Sequence, residues 1–458
     1  MQDNSQQEAP EFGGPSDQSH EAKEGGGPGV LRAATWSWGV LLLLVLLNSL
    51  SIANRCLMHA FSIDIIADLR LSLVQFSLLT GFAFTFFFAL SGLAMGTLAD
   101  RLNRPRLIAA GALVSSVIMA ATGAVTNFSQ MLAARTLSGI GESALSPAAL
   151  GLLGDLFSRN RRALAIALFN LGLPIGVSAA YIAAGTYGAT MGWRSCFSAI
   201  GVFGVLLALP ILLFSDQRSK RHALSTDSKK STANLLRETW RVLVGSPALS
   251  LAILGGVLAL FAGGTLVLGQ LWLVQERGFD KSHAQNIVGA MFLAGGIAGS
   301  LIGGMGGDYM QAKRRGGHLY FLAIVFAICA PFGFIYRFMD PSGVMFYVCM
   351  FIECMLLTVG YAPLFAFIQS VTPSHVRSTM IAFALLCTSL LGNSLGNLFV
   401  GYLAEAFISA NVREPITSAT LIGTIPFVLT IPCFYLAARA AQHGQTAPSA
   451  FSGADRSI

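Results

Sequence analysis

The sequence predicts an all-α polytopic membrane protein with twelve transmembrane helices in two six-helix bundles and with cytoplasmic termini. Composition, the spacing of apolar runs and the placement of basic residues all point to this fold class. Of 458 residues, 54% are hydrophobic and only 11% are charged, and the mean hydropathy is +0.65. Soluble domains carry about 25% charged residues. The composition therefore indicates a chain whose surface faces lipid.

The apolar runs divide the chain into twelve predicted spans, because a transmembrane helix needs about 20 predominantly apolar residues. The first six are 36–61, 73–98, 107–126, 130–154, 163–188 and 195–214, and the second six are 248–275, 284–306, 318–338, 343–371, 378–406 and 416–438. Lys and Arg concentrate in the loops that follow even-numbered spans. The positive-inside rule assigns those loops to the cytoplasm. The cytoplasmic side is the inner side of the protein, and the opposite side is the outer side.

Polar segments complete the predicted domain organisation. The domains are a disordered N-terminal tail (1–34), an N-terminal bundle (35–214), a cytoplasmic linker (215–246), a C-terminal bundle (247–438) and a C-terminal tail (439–458). The linker carries ten acidic or basic residues and no long apolar run. Such a composition is typical of a solvated segment.

Several classes of protein are excluded by what the sequence does not contain. The net charge of +7 resides mostly in short segments between spans, so no basic nucleic-acid-binding face is expected. The seven Cys include no CxxC pair, which argues against a zinc site or a disulfide framework. No GxxxxGK[ST], HExxH or GxSxG motif is present. We therefore expect no enzyme activity, no metal and no cofactor.

A short motif follows the second span and recurs, in degenerate form, after the eighth. The first copy reads Gly-Thr-Leu-Ala-Asp-Arg-Leu-Asn-Arg over residues 96–104, and the second keeps Gly304 and Asp308 but has Tyr309 in place of the Arg. A carboxylate at an inner helix end can bind Arg or a helix N-terminus in one conformation and release it in another. The alternative is that the charged residues of these two copies are ordinary charges of cytoplasmic loops, without a role in switching. The predicted conformational switch comprises Gly96, Asp100, Arg101, Arg104, Asp155, Arg159 and Asp308.

The first copy resembles the loop signature of the major facilitator superfamily, with every named position filled. Residues 45–195 also resemble the Spinster family of that superfamily, most clearly in Ala-Arg-Thr-Leu-Ser-Gly-Ile-Gly-Glu-Ser-Ala-Leu-Ser-Pro over 134–147. The resemblance implies a proton-linked or facilitative carrier for lipids such as sphingosine phosphate and lysophospholipids, or other amphiphiles. The family usually has Asp-Arg where this chain has Asn54-Arg55. Because Asn cannot titrate, proton coupling would then rest on Glu142.

Four charged residues fall well inside predicted spans, namely Arg55, Arg135, Glu142 and Glu353. Each costs about 3 kcal/mol at a helix centre, so such residues usually pair or line a wet cavity. Arg135 and Glu142 lie two turns apart on one helix face. We predict a cluster in which Arg55 and Arg135 bind an anionic head group while Glu142 exchanges a proton. The alternative is that Arg135 and Glu142 form a structural ion pair.

Uncharged or isolated polar residues provide further candidates. Asn54, His59, Asn393 and Tyr361 are candidates for substrate binding. Asn393 could instead form an interhelical hydrogen bond, and His59 could lie at the outer interface. Glu353 has no visible basic partner in the second bundle, so it is either a second proton site or a protonated helix contact.

Together these features predict a monomeric secondary carrier that works by alternating access on an amphiphilic organic anion, with protons as candidate co-substrate. A plasma membrane or a bacterial inner membrane is the expected location. The alternative is a proton-coupled multidrug or organic-acid transporter, although efflux of cationic drugs would favour more buried acid than this chain has. A non-transporting membrane receptor is a remote third possibility.

Overall fold

The computed structural model describes residues 28–214, 232–373 and 376–443. Over these ranges the chain is helical apart from short connections. Ten of its helices or continuous helical stretches are long and apolar enough to cross a membrane. Residues 1–27 and 444–458 of the predicted tails lie outside the described residues. Residues 215–231 of the predicted linker also lie outside them.

The helices of the first bundle follow one another with short breaks. They are α1 (Pro28–Ala60), α2 (Ser62–Leu69), α3 (Leu73–Thr80), α4 (Phe82–Arg101), α5 (Arg104–Thr122), α6 (Phe128–Glu142), α7 (Leu145–Leu156), α8 (Arg159–Asn170) and α9 (Gly172–Ala208). A 3₁₀ turn over Leu209–Leu213 extends α9.

The second bundle is preceded by a separate helix in the linker. The helices are α10 (Thr232–Gly245), α11 (Pro247–Gly263), α12 (Gly269–Gln275), α13 (Lys281–Lys313), α14 (Gly317–Ile335), α15 (Val344–Val359), α16 (Tyr361–Val371), α17 (Arg377–Leu386), α18 (Leu395–Ser409) and α19 (Pro415–His443). Irregular helical turns join several of them, including a π-helical segment over Cys387–Ser394 between α17 and α18.

The ten long stretches accommodate the twelve predicted spans because of two local features. The fourth span is split between α6 and α7 at residues 143–144, so neither part reaches full length. The fifth and sixth spans are merged into α9, inside which Gly192 adopts φ 73° and ψ 165°. This left-handed backbone is accessible mainly to glycine. It lets the chain reverse direction between the two spans.

Three boundaries differ from the sequence prediction. Helix α1 begins at Pro28, inside the predicted N-terminal tail, and α19 continues to His443, inside the predicted C-terminal tail. The linker was expected to be a solvated segment, but α10 occupies its second half. Its apolar residues recur at helical spacing, which stabilises a helix against a neighbouring surface.

The two bundles are joined at their outer ends. One cluster of buried apolar side chains contains Phe61 and Phe76 of the first bundle together with Trp272 and Phe346 of the second. Toward the inner side the buried cores separate into one cluster per bundle. The conformation is therefore closed on the outer side.

Polar contacts reinforce this outer closure. Lys281 Nζ lies 2.6 Å from Asp64 Oδ1, and Gln285 Nε2 donates to the Ala60 carbonyl at 2.7 Å. Glu405 accepts a hydrogen bond from the backbone N–H of Val74, at the N-terminus of α3. Each bond links the second bundle to the first.

Candidate functional site

A cavity of about 250 Å³ lies between the two bundles. Both bundles contribute to its wall, which is mostly apolar and aromatic. Its lining residues include Ile52, Arg55, Cys56, His59, Phe84, Phe88, Tyr181, Leu266, Phe292, Thr358, Tyr361, Ser389, Asn393 and Asn397. Among the described residues that line the cavity, Arg55 is the one that carries a permanent charge. The cavity therefore combines a single fixed cation with apolar surroundings.

Arg55 is held at the wall by contacts on two sides. Its Nε lies 2.8 Å from Glu142 Oε2, while its guanidinium carbon is 4.6 Å and 4.5 Å from the ring centroids of Phe84 and Phe88. Cation–π contacts of this kind orient a guanidinium group. The side chain keeps 30% of its surface exposed. Because the ion pair uses Nε, the terminal nitrogens remain available to a ligand in the cavity.

Glu142 is the buried counter-ion of this arrangement. Its carboxylate accepts hydrogen bonds from Ser51 Oγ at 2.7 Å and from Asn54 Nδ2 at 2.7 Å, in addition to the bond from Arg55. Only 1% of its side chain is exposed. A second, small cavity of about 20 Å³ adjoins it, also lined by Ser51 and Asn54. That volume is large enough for one water molecule.

Arg135 lies behind the wall rather than on it. The residue is 2% exposed, and its Nη1 is 3.5 Å from the backbone carbonyl of Asn54. Its guanidinium carbon is 5.0 Å from the Phe84 ring. Glu142 pairs with Arg55, and an ion pair between Arg135 and Glu142, which was the alternative to the predicted cluster, is not found among the described residues. The reason is the adjacent α1, whose Arg55 reaches the carboxylate directly.

The position of the Phe84 and Phe88 rings depends on a close contact between α4 and α6. A Cβ added to Gly139 would lie 2.6 Å from the carbonyl oxygen of Phe84. Only a glycine at this position lets the two backbones approach so closely. The stacked rings of Phe84 and Phe88, with centroids 5.6 Å apart, are thereby placed beside Arg55.

The remaining substrate-binding candidates divide between the two walls. His59 lies on the cavity wall of the first bundle, and its buried Nε2 has no hydrogen-bond partner. On the opposite wall are Tyr361, at the start of α16, and Asn393, within the π-helical segment. Such π-bulges are frequent at functional sites because they reorient side chains. Asn54 does not line this cavity and instead binds Glu142.

Glu353 has a basic partner, contrary to the expectation from sequence. Arg337 Nη2 donates to Glu353 Oε1 at 3.1 Å, and the two side chains are only 2% and 6% exposed. The sequence does not indicate this partner, because Arg337 lies at the very end of the ninth predicted span, where a charged residue is common. The 3₁₀ turn Tyr336–Phe338 directs it back toward α15. The pair lies outside the set of cavity-lining residues.

The predicted conformational switch is described in part. Arg104 Nη1 and Asp155 Oδ2 form an ion pair of 2.6 Å between the inner ends of the first bundle. Asp308 is largely exposed and lies 3.3 Å from His318 Nε2. The side chains of Gly96, Asp100, Arg101 and Arg159 are outside the described residues.

Ser51, Phe84 and Phe88 are site residues that sequence reasoning missed. Ser51 precedes Arg55 by four residues and therefore shares its helix face, which was a usable signal. Phe84 and Phe88 are likewise four apart, but they belong to a chain with 32 Phe. No pattern distinguishes them from lipid-facing rings.

Comparisons with known proteins agree with this architecture. The family model of the Major Facilitator Superfamily matches residues 41–397. An "MFS-type efflux pump" of Mycolicibacterium smegmatis is 24% identical, over 88% of this chain and 92% of the relative. The "Sphingosine-1-phosphate transporter SPNS2" of Xenopus tropicalis is 23% identical, over 75% of this chain and 70% of the relative.

A solved structure shares the fold. It is the crystal structure of a bacterial homolog to the human lysosomal transporter Spinster, in an inward-facing and unoccupied conformation. The TM-score is 0.76 at 23% identity, and the match covers 89% of this chain and 98% of that one.

The chain is thus a multi-pass membrane transporter, and it belongs to the major facilitator superfamily. The predicted all-α polytopic fold and the resemblance to the Spinster family are both confirmed. Membership of this family places the chain among transporters rather than enzymes.

Proposed function

We propose that the chain transports an amphiphilic organic anion of the lysolipid or sphingolipid type by alternating access, and that Arg55 binds the anionic head group. The observation that carries this proposal is that Arg55 is the single permanently charged residue among the described residues of the cavity wall. Arg favours phosphate and carboxylate because its planar donors match their oxygens.

The apolar part of the cargo is inferred from the rest of the cavity. Phe84, Phe88 and Phe292 line it together with aliphatic side chains from both bundles. Apolar lining of this kind suits a hydrocarbon chain. The name of the SPNS2 relative, a sphingosine-1-phosphate transporter, points to the same class of cargo. Since one chain supplies both walls, we propose a monomer as the functional unit.

Arg135 acts through its neighbours in this proposal. It supports the Asn54 carbonyl and the Phe84 ring, and so positions Arg55 without touching cargo in this conformation. His59, Tyr361 and Asn393 supply uncharged polar contacts at the wall.

Glu142 is the proposed site of proton coupling. Cargo that draws Arg55 away would leave this buried carboxylate without its cation, and desolvation then favours its protonated form. We propose that a proton reaches Glu142 from the side where Ser51 and the small adjoining cavity lie. We assign no such role to Glu353, because its partner Arg337 is only 2% exposed and lies outside the set of cavity-lining residues, where cargo would not draw it away.

Transport of a lysophospholipid or sphingosine phosphate into proteoliposomes tests the role of Arg55. In Arg55→Gln we expect apparent affinity about 10- to 100-fold weaker, since hydrogen bonds to charged groups contribute about 1.5–3 kcal/mol. The matched control is Arg413→Gln, an exposed arginine in the outer loop before α19, which should leave uptake unchanged.

The second candidate function is proton-coupled transport of drugs or organic acids, and the name of the relative from Mycolicibacterium smegmatis, an MFS-type efflux pump, points to efflux. The Arg55 guanidinium at the cavity wall disfavours cationic drugs as cargo, because it would repel them. If lipophilic cations compete with uptake and anionic amphiphiles do not, the proposed cargo is wrong.

A further inference from the structure

The linker helix α10 has an exposed face that the transport cycle does not use. Trp240 and Val244, one turn apart, are 59% and 64% exposed. Arg237 and Arg241, also one turn apart, are exposed beside them. At 100° per residue the two pairs form adjacent strips on one side of the helix.

The other side of α10 is fixed to the second bundle. Thr239 is 2% exposed, and Leu243 packs on the apolar core of that bundle. Ser250 of α11 donates a hydrogen bond to the Leu243 carbonyl at 2.7 Å. The helix also contacts α17. The orientation of the exposed strips is therefore set by the fold.

The position of α10 relates these strips to the bilayer. Only Ser246 separates it from α11, which begins at Pro247 and spans the membrane. The helix thus lies at the inner membrane surface. Tryptophan concentrates at that boundary, where its ring spans apolar and polar layers. Amphipathic helices with Arg beside an apolar face bind there, and the Arg side chains attract anionic lipids.

We propose that α10 is a binding site for anionic phospholipid head groups at the inner membrane surface. Trp240 and Val244 insert into the interfacial layer, and Arg237 and Arg241 bind the phosphates. Because α10 is packed on α11 and α17, the contact attaches the second bundle to the lipid surface. This proposal does not depend on the identity of the cargo.

Fluorescence of the full chain in lipid nanodiscs tests the proposal. The discs contain phosphatidylcholine alone or in equimolar mixture with phosphatidylglycerol, and both lipids carry brominated acyl chains, so that the density of bromine is the same in the two discs. Brominated chains quench tryptophan on contact, and subtraction of the Trp240→Phe signal isolates Trp240 from the other four Trp. We expect Trp240 to be quenched in both lipids, and more strongly with phosphatidylglycerol.

The charge-removing double variant Arg237→Gln/Arg241→Gln should lose the phosphatidylglycerol-dependent increment. Lys313→Gln/Arg315→Gln is the matched control, because it removes two exposed cations from the same side of the membrane but away from α10. It should retain the increment. Quenching of Trp240 by aqueous iodide but not by brominated lipid would overturn the proposal. Quenching of Trp240 by neither iodide nor brominated lipid would also overturn it, and would indicate that a second copy of the chain covers this face. Loss of the increment in both double variants would overturn the head-group assignment.

Discussion

The contacts around Arg55 show how a charged residue is tolerated inside a membrane bundle. A lone Arg at a helix centre costs about 3 kcal/mol by insertion scales. Here Glu142 and two phenylalanine rings surround one side of the guanidinium, and the cavity surrounds the other. Ser51 and Asn54 satisfy the remaining acceptor sites of Glu142. The cation is thus fixed in place, yet it remains open to a ligand.

Asn54→Asp should make transport strongly pH-dependent. The new carboxyl would replace an amide that lies 2.7 Å from Glu142 Oε1. Two carboxyls at this separation cannot both ionise and therefore share a proton. The initial rate of uptake into proteoliposomes, measured across pH, should have a steeper dependence than it has in the parent.

The control for this prediction is Glu142→Gln/Asn54→Asp, in which only one carboxyl remains. The pH profile of this double variant should lack the steep dependence that arises when two carboxyls share one proton. If Asn54→Asp and the parent have the same profile, the two side chains do not interact as described. An unaltered pH dependence of uptake in Glu142→Gln alone would remove Glu142 from proton coupling.

At this scale the sequence located the important charges but not their partners. Arg55, Arg135 and Glu142 were recognisable because charge is rare within spans. The partner of Glu142 was not recognisable. Spacing along one helix favoured a pair of Arg135 with Glu142, whereas the observed partner, Arg55, belongs to another helix. A contact between helices depends on their rotation and depth, which one sequence does not encode locally.

Among the helices, the hairpin of α14 and α15 is stabilised by a buried ion pair. Arg337 binds Glu353 and also lies 5.3 Å and 5.0 Å from the ring centroids of Trp272 and Tyr336. A buried pair adds little relative to apolar replacements, but removal of one partner leaves an uncompensated charge. The pair is therefore a sensitive point in the second bundle.

Arg337→Met should destabilise the protein by about 3–5 kcal/mol, because Glu353 would remain buried and unpaired. A lowered midpoint of thermal unfolding in detergent would report this loss. The double variant Arg337→Met/Glu353→Leu removes both charges and should recover most of the stability. If the double variant is as unstable as the sum of the two single variants, the side chains do not act as a pair.

Helix number and order were predictable because apolar length is a strong signal, whereas local irregularities were not. The break at residues 143–144 and the π-helical segment Cys387–Ser394 arise from packing against neighbouring helices. Helix α10 was missed because its charges resemble those of a polar linker. Its apolar residues recur at helical spacing, and that period was the available signal.

In the whole molecule, the two bundles meet along a closely packed outer interface. A Cβ added to Gly289 of α13 would lie 2.8 Å from Ile182 Cγ1 and 3.1 Å from the Ser178 carbonyl oxygen, both in α9. This glycine permits the approach that closes the outer side. Alternating access requires this interface to open and close.

Gly289→Leu should hold the outer side open and abolish transport, because the larger side chain cannot fit between α9 and α13. The distance between spin labels at Ala67 and Val412, exposed outer positions in different bundles, should increase in a background without native cysteines. Gly304→Leu is the control on the same helix, since a Cβ there meets nothing within 4 Å. It should transport normally. An unchanged label distance in Gly289→Leu would contradict this account of closure.

The pairing of Arg55 with Glu142, which together carry no net charge, also affects the electrical work of transport across the bilayer. The ion pair itself contributes no net charge, so we expect the charge of the cargo and of any accompanying proton to determine whether a cycle generates current. A monovalent anion that crosses alone is driven outward by about 2.3 kcal/mol per 100 mV of inside-negative potential. The same anion accompanied by one proton is electrically silent. Voltage, rather than the concentration gradient alone, then sets the direction of flux for the unaccompanied anion.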